Sequence, residues 1–164
     1  MMLRKLLPHP GLSVLLILTW LMLVNEFKWG SLVFATLLAV VLPLLTAPYW
    51  PNRPLIKNWP AVAEYVAIVL WDIVKSNITV ALIVLFRPAA KLNPLWVTVP
   101  LDVTSPEAIT VLAGTITMTP GTVTADLSAD GRSLLIHCLD ATDADVVRDD
   151  IKSRYEARLK RIFA

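Results

Sequence analysis

Three apolar stretches occupy the first half of the chain: Gly11 to Val24, Gly30 to Ala47 and Ala61 to Phe86, of 14, 18 and 26 residues. They predict three helices. At 1.5 Å per residue the first is roughly 21 Å long and the second roughly 27 Å, against a hydrocarbon core about 30 Å thick. The first two therefore predict a short membrane hairpin, which thins the bilayer or sits partly within it against partner helices. Pro8 and Pro10 mark its start, and Pro43 falls near the end of the second helix. Pro48, Pro51 and Pro54 then make a stiff connector. Trp20, Trp29, Trp50 and Trp59 lie at or near segment ends, as aromatic belts at the two membrane interfaces require.

The third stretch is interrupted by polar residues. At about 100° per residue from Glu64, Lys75 falls near 20°, Thr79 near 60°, Asp72 near 80° and Ser76 near 120°. Glu64, Asp72, Lys75, Ser76 and Thr79 thus form one stripe, with Asn77 on the opposite side. Asp72 and Lys75 are three apart and predict an intrahelical ion pair. Charges at membrane depth are costly, so the stripe faces protein or water. It has three readings: a packing face for another subunit, part of an ion or proton path, or the polar side of a helix lying in the membrane plane.

After Arg87 the pattern changes. Leu95 to Leu101 alternates and predicts a strand. Thr104 and Ser105 are alternative caps for a helix with Pro106 at its first position and Ile109, Leu112 and Ile116 on its buried face. Val123 to Leu127 and Leu134 to Leu139 predict two strands joined through Asp130-Gly131. Thr142 is the expected cap of a last helix, Asp143 to about Phe163, with Val147, Ile151, Tyr155, Leu159 and Ile162 as its apolar stripe. Its early aspartates and late lysines and arginines complement the helix dipole and read as a solvated surface. The expected fold is a membrane α-helical region over residues 1–90, then a small α/β domain over 91–164. The latter is a three-stranded sheet of order strand–helix–strand–strand–helix with helices on one face. A core of that size is marginal alone, so support from a neighbouring subunit is expected.

Composition sharpens the division. The chain has 164 residues and is 56% hydrophobic, above the 45–50% or so of soluble domains. Of its 28 charged side chains only nine precede Arg87. Arg4 and Lys5 before an apolar run imitate a signal peptide, but no small-residue cleavage site follows Val24 and a second apolar run does, so a retained hairpin is expected. Arg4, Lys5, Arg53 and Lys57 on one side balance Lys28, Arg87 and Lys91 on the other, so the positive-inside rule leaves the orientation open.

The net charge of +2, without basic blocks or interleaved aromatics, argues against nucleic acid. A lone cysteine, Cys138, excludes an internal disulfide. His137 and Cys138 are adjacent in a strand and point to opposite faces, so they share no metal. No CxxC, HExxH or phosphate-cradling glycine loop occurs. Ser133, His137 and Asp140 lack a nucleophile elbow, so no catalytic residue is expected. No cofactor and no small-molecule substrate is expected either. The sharpest local motif is Thr119-Pro120-Gly121-Thr122, which predicts a type II turn with glycine at the positive-φ position. It serves as a structural elbow or as a contact for another subunit.

The Trp-rich hairpin, Asp72-Ile73-Val74-Lys75-Ser76-Asn77, Ile116-Thr117-Met118-Thr119-Pro120-Gly121-Thr122, and Leu134-Ile136-His137-Cys138-Leu139-Asp140 after Asp130-Gly131 together resemble a known family. The chain is similar, over nearly its whole length, to the E-type subunit of the bacterial multisubunit Na+/H+ antiporter (the Mrp, Mnh or Pha type). The resemblance implies function by assembly in the bacterial inner membrane. Large subunits similar to proton-pumping subunits of respiratory complex I carry the transport chemistry there. It implies a cytoplasmic C-terminal domain, an accessory or coupling role, and partners that are the other subunits and the lipid bilayer. A stand-alone membrane-anchored regulatory module and a small membrane enzyme are the alternatives from other classes.

Overall fold

The computed structural model describes residues 10–49, 56 and 58–163. The positions of Arg4, Lys5, Pro8, Trp50, Pro51, Arg53, Pro54 and Lys57 lie outside them. The chain divides near residue 53 into two compact units.

The first unit is a helical hairpin, α1 (Pro10–Val24) and α2 (Trp29–Thr46), followed by a short 3-10 turn, Ala47–Tyr49. Asn25, at φ 50, turns the chain between the helices, a left-handed conformation that asparagine tolerates better than most residues. Ala35, Ala39 and Pro43 are buried on one side of α2. They are four apart, so one narrow stripe of small side chains lets the backbones approach. Ser13 uses that approach: its hydroxyl donates to the Ala39 carbonyl at 2.6 Å. Near the turn, Trp20 Nε1 donates to Ser31 Oγ at 3.2 Å and its ring packs against Phe34.

The second unit begins with α3 (Trp59–Phe86). Asn58 caps it by accepting from the Ala61 amide, with Pro60 in the first turn. Then come β1 (Leu95–Pro100), α4 (Pro106–Met118), β2 (Thr122–Leu127) and β3 (Ser133–Cys138). The C-terminal helix is continuous through α5 (Ala144–Asp150), a π segment (Ile151–Glu156) and α6 (Ala157–Phe163).

The sheet is antiparallel in the order β1-β3-β2, with Trp96 opposite His137 and Val123 also opposite His137. Between Thr124 and Asp126 the register slips by one residue, a bulge in the edge strand. Val97, Val99, Leu134, Ile136 and Cys138 point inward onto Leu112 and Ile116 of α4 and Leu159 of α6. Ala61 and Tyr65 of α3 belong to this same core. The composition boundary near residue 90 is therefore not a packing boundary, since α3 is a helix of the C-terminal unit. It completes a domain whose core is marginal without it.

One local expectation changes, and one open alternative is decided. Asp143, not Thr142, caps the last helix by accepting from the Asp145 amide. Of the two candidate caps for α4 it is Ser105 that serves, accepting from Ala108 at 3.2 Å.

Candidate functional site

The polar stripe of α3 and the basic face of the C-terminal helix were read separately from sequence. The structure joins them. Arg154 grips Asp72 with two parallel hydrogen bonds, Nε to Oδ2 at 2.7 Å and Nη2 to Oδ1 at 2.6 Å. Tyr155 donates to the same carboxylate at 3.0 Å. Glu64 accepts from Arg158 at 3.0 Å and from Arg161 at 3.1 Å. On the same face, Tyr65 and Thr115 share a buried hydrogen bond of 2.7 Å. Planar guanidinium forks meeting two carboxylates give direction as well as energy.

The expected Asp72–Lys75 pair is not formed. An ammonium three residues along cannot match the bidentate geometry of a guanidinium delivered by another helix. Lys75 is exposed and makes no ion pair among the described residues. Ser76 and Thr79 continue the stripe beside it, with the Thr79 hydroxyl spent on the Lys75 carbonyl at 3.1 Å.

The π segment explains how consecutive residues reach different elements. Arg154 and Tyr155 turn toward α3, whereas Glu156 points into the domain. There its Oε1 accepts from the Asp102 and Val103 amides at 2.6 and 3.0 Å. Its Oε2 is 3.1 Å from Lys152 Nζ, which also lies 3.2 Å from Asp102. A π turn inserted in an α-helix changes the angular spacing of side chains, and such turns recur at functional sites. Burial pushes the Tyr155 phenol up to about 12, helped by its bond to the Asp72 carboxylate. The same carboxylate holds Arg154 firmly protonated.

Thr119-Pro120-Gly121-Thr122 lies at the other end of this face. Gly121 has φ +94 and the Thr122 amide donates to the Thr119 carbonyl at 3.2 Å, the geometry of a type II turn. The Thr122 hydroxyl closes the end of α4 by donating to Ile116 at 2.6 Å and Thr119 at 2.9 Å. A Cβ on Gly121 would stand 3.2 Å from Val80 Cγ2 of α3. The turn thus rests directly on the helix. Beyond it, Arg87 pairs with Asp140, which also accepts from the Asn93 amide at 3.0 Å. Between α3, this turn and α5 lies an open cleft of about 460 Å³.

Sequence reasoning missed Arg154, Tyr155, Arg158 and Arg161 as partners. The signal was present as two complementary patterns: arginines at i, i+4 and i+7 on one helix, and carboxylates eight residues apart on another. Among the described residues no group of three or more His, Cys, Asp or Glu side chains could hold a metal ion. Ser133, His137 and Asp140 do not form a triad: Asp140 is engaged by Arg87, and the His137 ring packs against Trp96.

The sequence signature described as Na+/H+ ion antiporter subunit (MNHE) runs through residues 13–162. The chain belongs to that family. It is 36% identical over 160 residues to a protein of Rhizobium meliloti (strain 1021) described as the probable E subunit of a K(+)/H(+) antiporter, covering 98% of this chain and 99% of the relative. It is 25% identical over 151 residues to the E1 subunit of a Na(+)/H(+) antiporter from Staphylococcus aureus (strain N315), covering 92% and 94%. Its fold matches a chain of an archaeal respiratory membrane complex, the membrane-bound sulfane sulfur reductase, with TM-score 0.73 and 27% identity. That match covers 93% of this chain and 96% of the other. These family members are named as subunits of ion antiporters, and the respiratory complex holds a chain of the same fold.

Proposed function

We propose that this chain is the E-type accessory component of a multisubunit monovalent cation/proton antiporter, anchored in the membrane by its hairpin, with its C-terminal unit in the cytoplasm. Its work is assembly and coupling; the transport chemistry belongs to larger subunits. One observation carries the reading beyond family membership: Glu64 and Asp72 of the stripe are engaged by this chain's own arginines, which supports a domain-packing role for these two carboxylates over an ion path.

The same observation bears on how α3 meets the membrane. By length and composition both α2 with its 3-10 turn and α3 could cross a bilayer. But the domain touches α3 from Ala61 in the first turn to Arg87 just past the last. The 26 steps from Ala61 to Arg87 span roughly 39 Å, more than the hydrocarbon thickness. A transmembrane α3 would drag Arg154, Arg158 and Arg161 into lipid at several kcal/mol each. On the opposite face Val66, Leu70, Val74 and Ile78 are all exposed and apolar. We infer that α3 lies along the membrane surface, apolar face in lipid and domain on the water side.

Affinity purification of the tagged chain from native membranes tests the assembly reading. Co-purification of several large polytopic proteins at fixed ratio is expected. Recovery of the tagged chain alone, folded and monodisperse, would favour a stand-alone membrane-anchored module.

A further inference from the structure

The pairs between α3 and the C-terminal helix form an antiparallel ladder. Glu64 meets Arg158 and Arg161, then Asp72 meets Arg154. The next positions along both helices are Lys75 on α3 and Asp150 on α5. Here the polarity is reversed, and the two residues line the 460 Å³ cleft without forming an ion pair with each other; Lys75 feels the charge of Asp72, Asp150 that of Arg154, and the carboxylates of Asp72 and Asp140 also line the cleft. Arg154 uses Nε and Nη2 on Asp72, and its side chain also lines this cleft. The floor is apolar, with Val80, Ile83 and Val147. The volume falls within the range of roughly 300–1,000 Å³ typical of small-ligand sites.

An unclosed cation–anion pair across a cleft fits a ligand that carries both charges. A phosphate suits Lys75, with the Arg154 guanidinium behind it. An ammonium suits Asp150. Lys75 also stands at the border of the apolar face, near 20° on the wheel, between the domain-bound side and Trp71, Ile78 and Leu82. On a helix lying in the membrane surface that border is at the level of lipid headgroups, where lysine side chains extend toward phosphate.

We propose that the cleft binds the zwitterionic headgroup of an aminophospholipid, phosphate on Lys75 and ammonium on Asp150, with the acyl chains running along the apolar face of α3. The choice of a lipid rather than a free solute rests on the surface placement of α3 proposed above.

The test uses the purified, delipidated complex in detergent, with Thr79→Cys as a reporter inside the cleft and maleimide labelling as the readout. Dihexanoyl phosphatidylethanolamine, added as monomers, is expected to slow labelling several-fold. Dihexanoyl phosphatidylglycerol should protect less well, and inorganic phosphate not at all. Lys75→Met should raise the lipid concentration needed by about tenfold, the scale of one lost charge-assisted hydrogen bond. Asp150→Asn should abolish the preference for ethanolamine over glycerol. Equal protection by both lipids, or no effect of Lys75→Met, overturns the proposal. Protection by inorganic phosphate alone reassigns the cleft to a free anion. Slow labelling without lipid, accelerated by either single change, means that the Lys75–Asp150 rung closes on itself and the cleft has no ligand. Because the probe lipids are soluble, these outcomes do not depend on how α3 lies. A failure of that reading would appear separately, as the absence of Trp71 quenching by brominated lipids in reconstituted membranes.

Discussion

Asp72 and Arg154 are 82 residues apart in sequence and are held by two hydrogen bonds of 2.7 and 2.6 Å. Their burial is unequal. The Asp72 side chain is 8% exposed, whereas that of Arg154 is 39% exposed. Arg154 can turn toward water when its partner is lost; Asp72 has nowhere to go. Removing the arginine therefore leaves the costlier orphan.

Arg154→Met should destabilise the second unit by about 2 kcal/mol, with Tyr155 still donating to the stranded carboxylate. Asp72→Asn should cost less, and the double change should recover part of the Arg154→Met loss. Lys75→Met should leave complex yield unchanged, because Lys75 supports no ion pair here. Native-gel yield and thermal stability of the complex, for all four variants, check this ordering. A Lys75→Met loss as large as that of Arg154→Met would restore the intrahelical pair that the sequence suggested.

What the sequence made legible was local. The start of α4 at Thr104 or Ser105, the Pro120-Gly121 turn, the Asp130-Gly131 loop and the alternation of β1 all depend on residues within a few positions of one another, and their spacing reports them. The stripe of α3 was legible as a stripe. Its partner was not, because arginines on an amphipathic helix look the same whether they face water or a carboxylate on another helix. The π segment was invisible for a related reason. Ile151 and Tyr155 keep a helical spacing that fits an uninterrupted helix, while the wider turn serves Asp72 on one side and the Asp102 amide on the other.

Gly121 makes a second forecast. At φ +94 any side chain is strained, by about 1–3 kcal/mol. A Cβ there also presses on Val80 of α3. Gly121→Ala should lower the thermal stability of the complex, and Val80→Ala should recover the contact part but not the backbone part. Thr122→Ser keeps the hydroxyl that closes α4 and should be nearly silent. Thr122→Val should cost about 1 kcal/mol. Full recovery of Gly121→Ala by Val80→Ala would show that the turn has no backbone strain.

Tyr155 gives a pH signature. Its folded value lies near 12, above the ordinary 10.0. A raised value means that the native state holds the proton more tightly than the unfolded state. The stabilisation is thus complete below pH 10 and is lost as pH rises from 10 through 12. Ultraviolet difference titration of the complex against its Tyr155→Phe variant should show one phenol ionising only at the top of that window. Ionisation near the ordinary value of 10.0 would mean that the phenol is neither buried nor bonded to Asp72 as described.

The placement of α3 makes the last prediction. A helix crossing the bilayer and one lying on its surface differ in how side-chain depth varies along the sequence. In a crossing helix, depth follows position: Ala61 and Leu85 are shallow and Ile73 is deep, whatever face they occupy. In a surface helix, depth follows angle. Val66, Leu70, Val74 and Ile78 advance together around one side and are all exposed, so single cysteines there should report similar shallow burial in lipid. Ala61, Tyr65 and Asp72 belong to the domain-bound side and should report none. Spin labels at positions 66, 70, 74 and 78 of the reconstituted complex, read by collision with oxygen and with a water-soluble nickel chelate, measure this directly. Accessibility to oxygen should be similar at these four positions, with no trend from Val66 to Ile78. The cost of the alternative makes the expectation firm, since a spanning α3 would carry Arg154, Arg158 and Arg161 into hydrocarbon beside Asp72 and Glu64. A smooth depth profile with its maximum near Ile73 would sink the surface reading, and with it the placement of the cleft at the level of lipid headgroups.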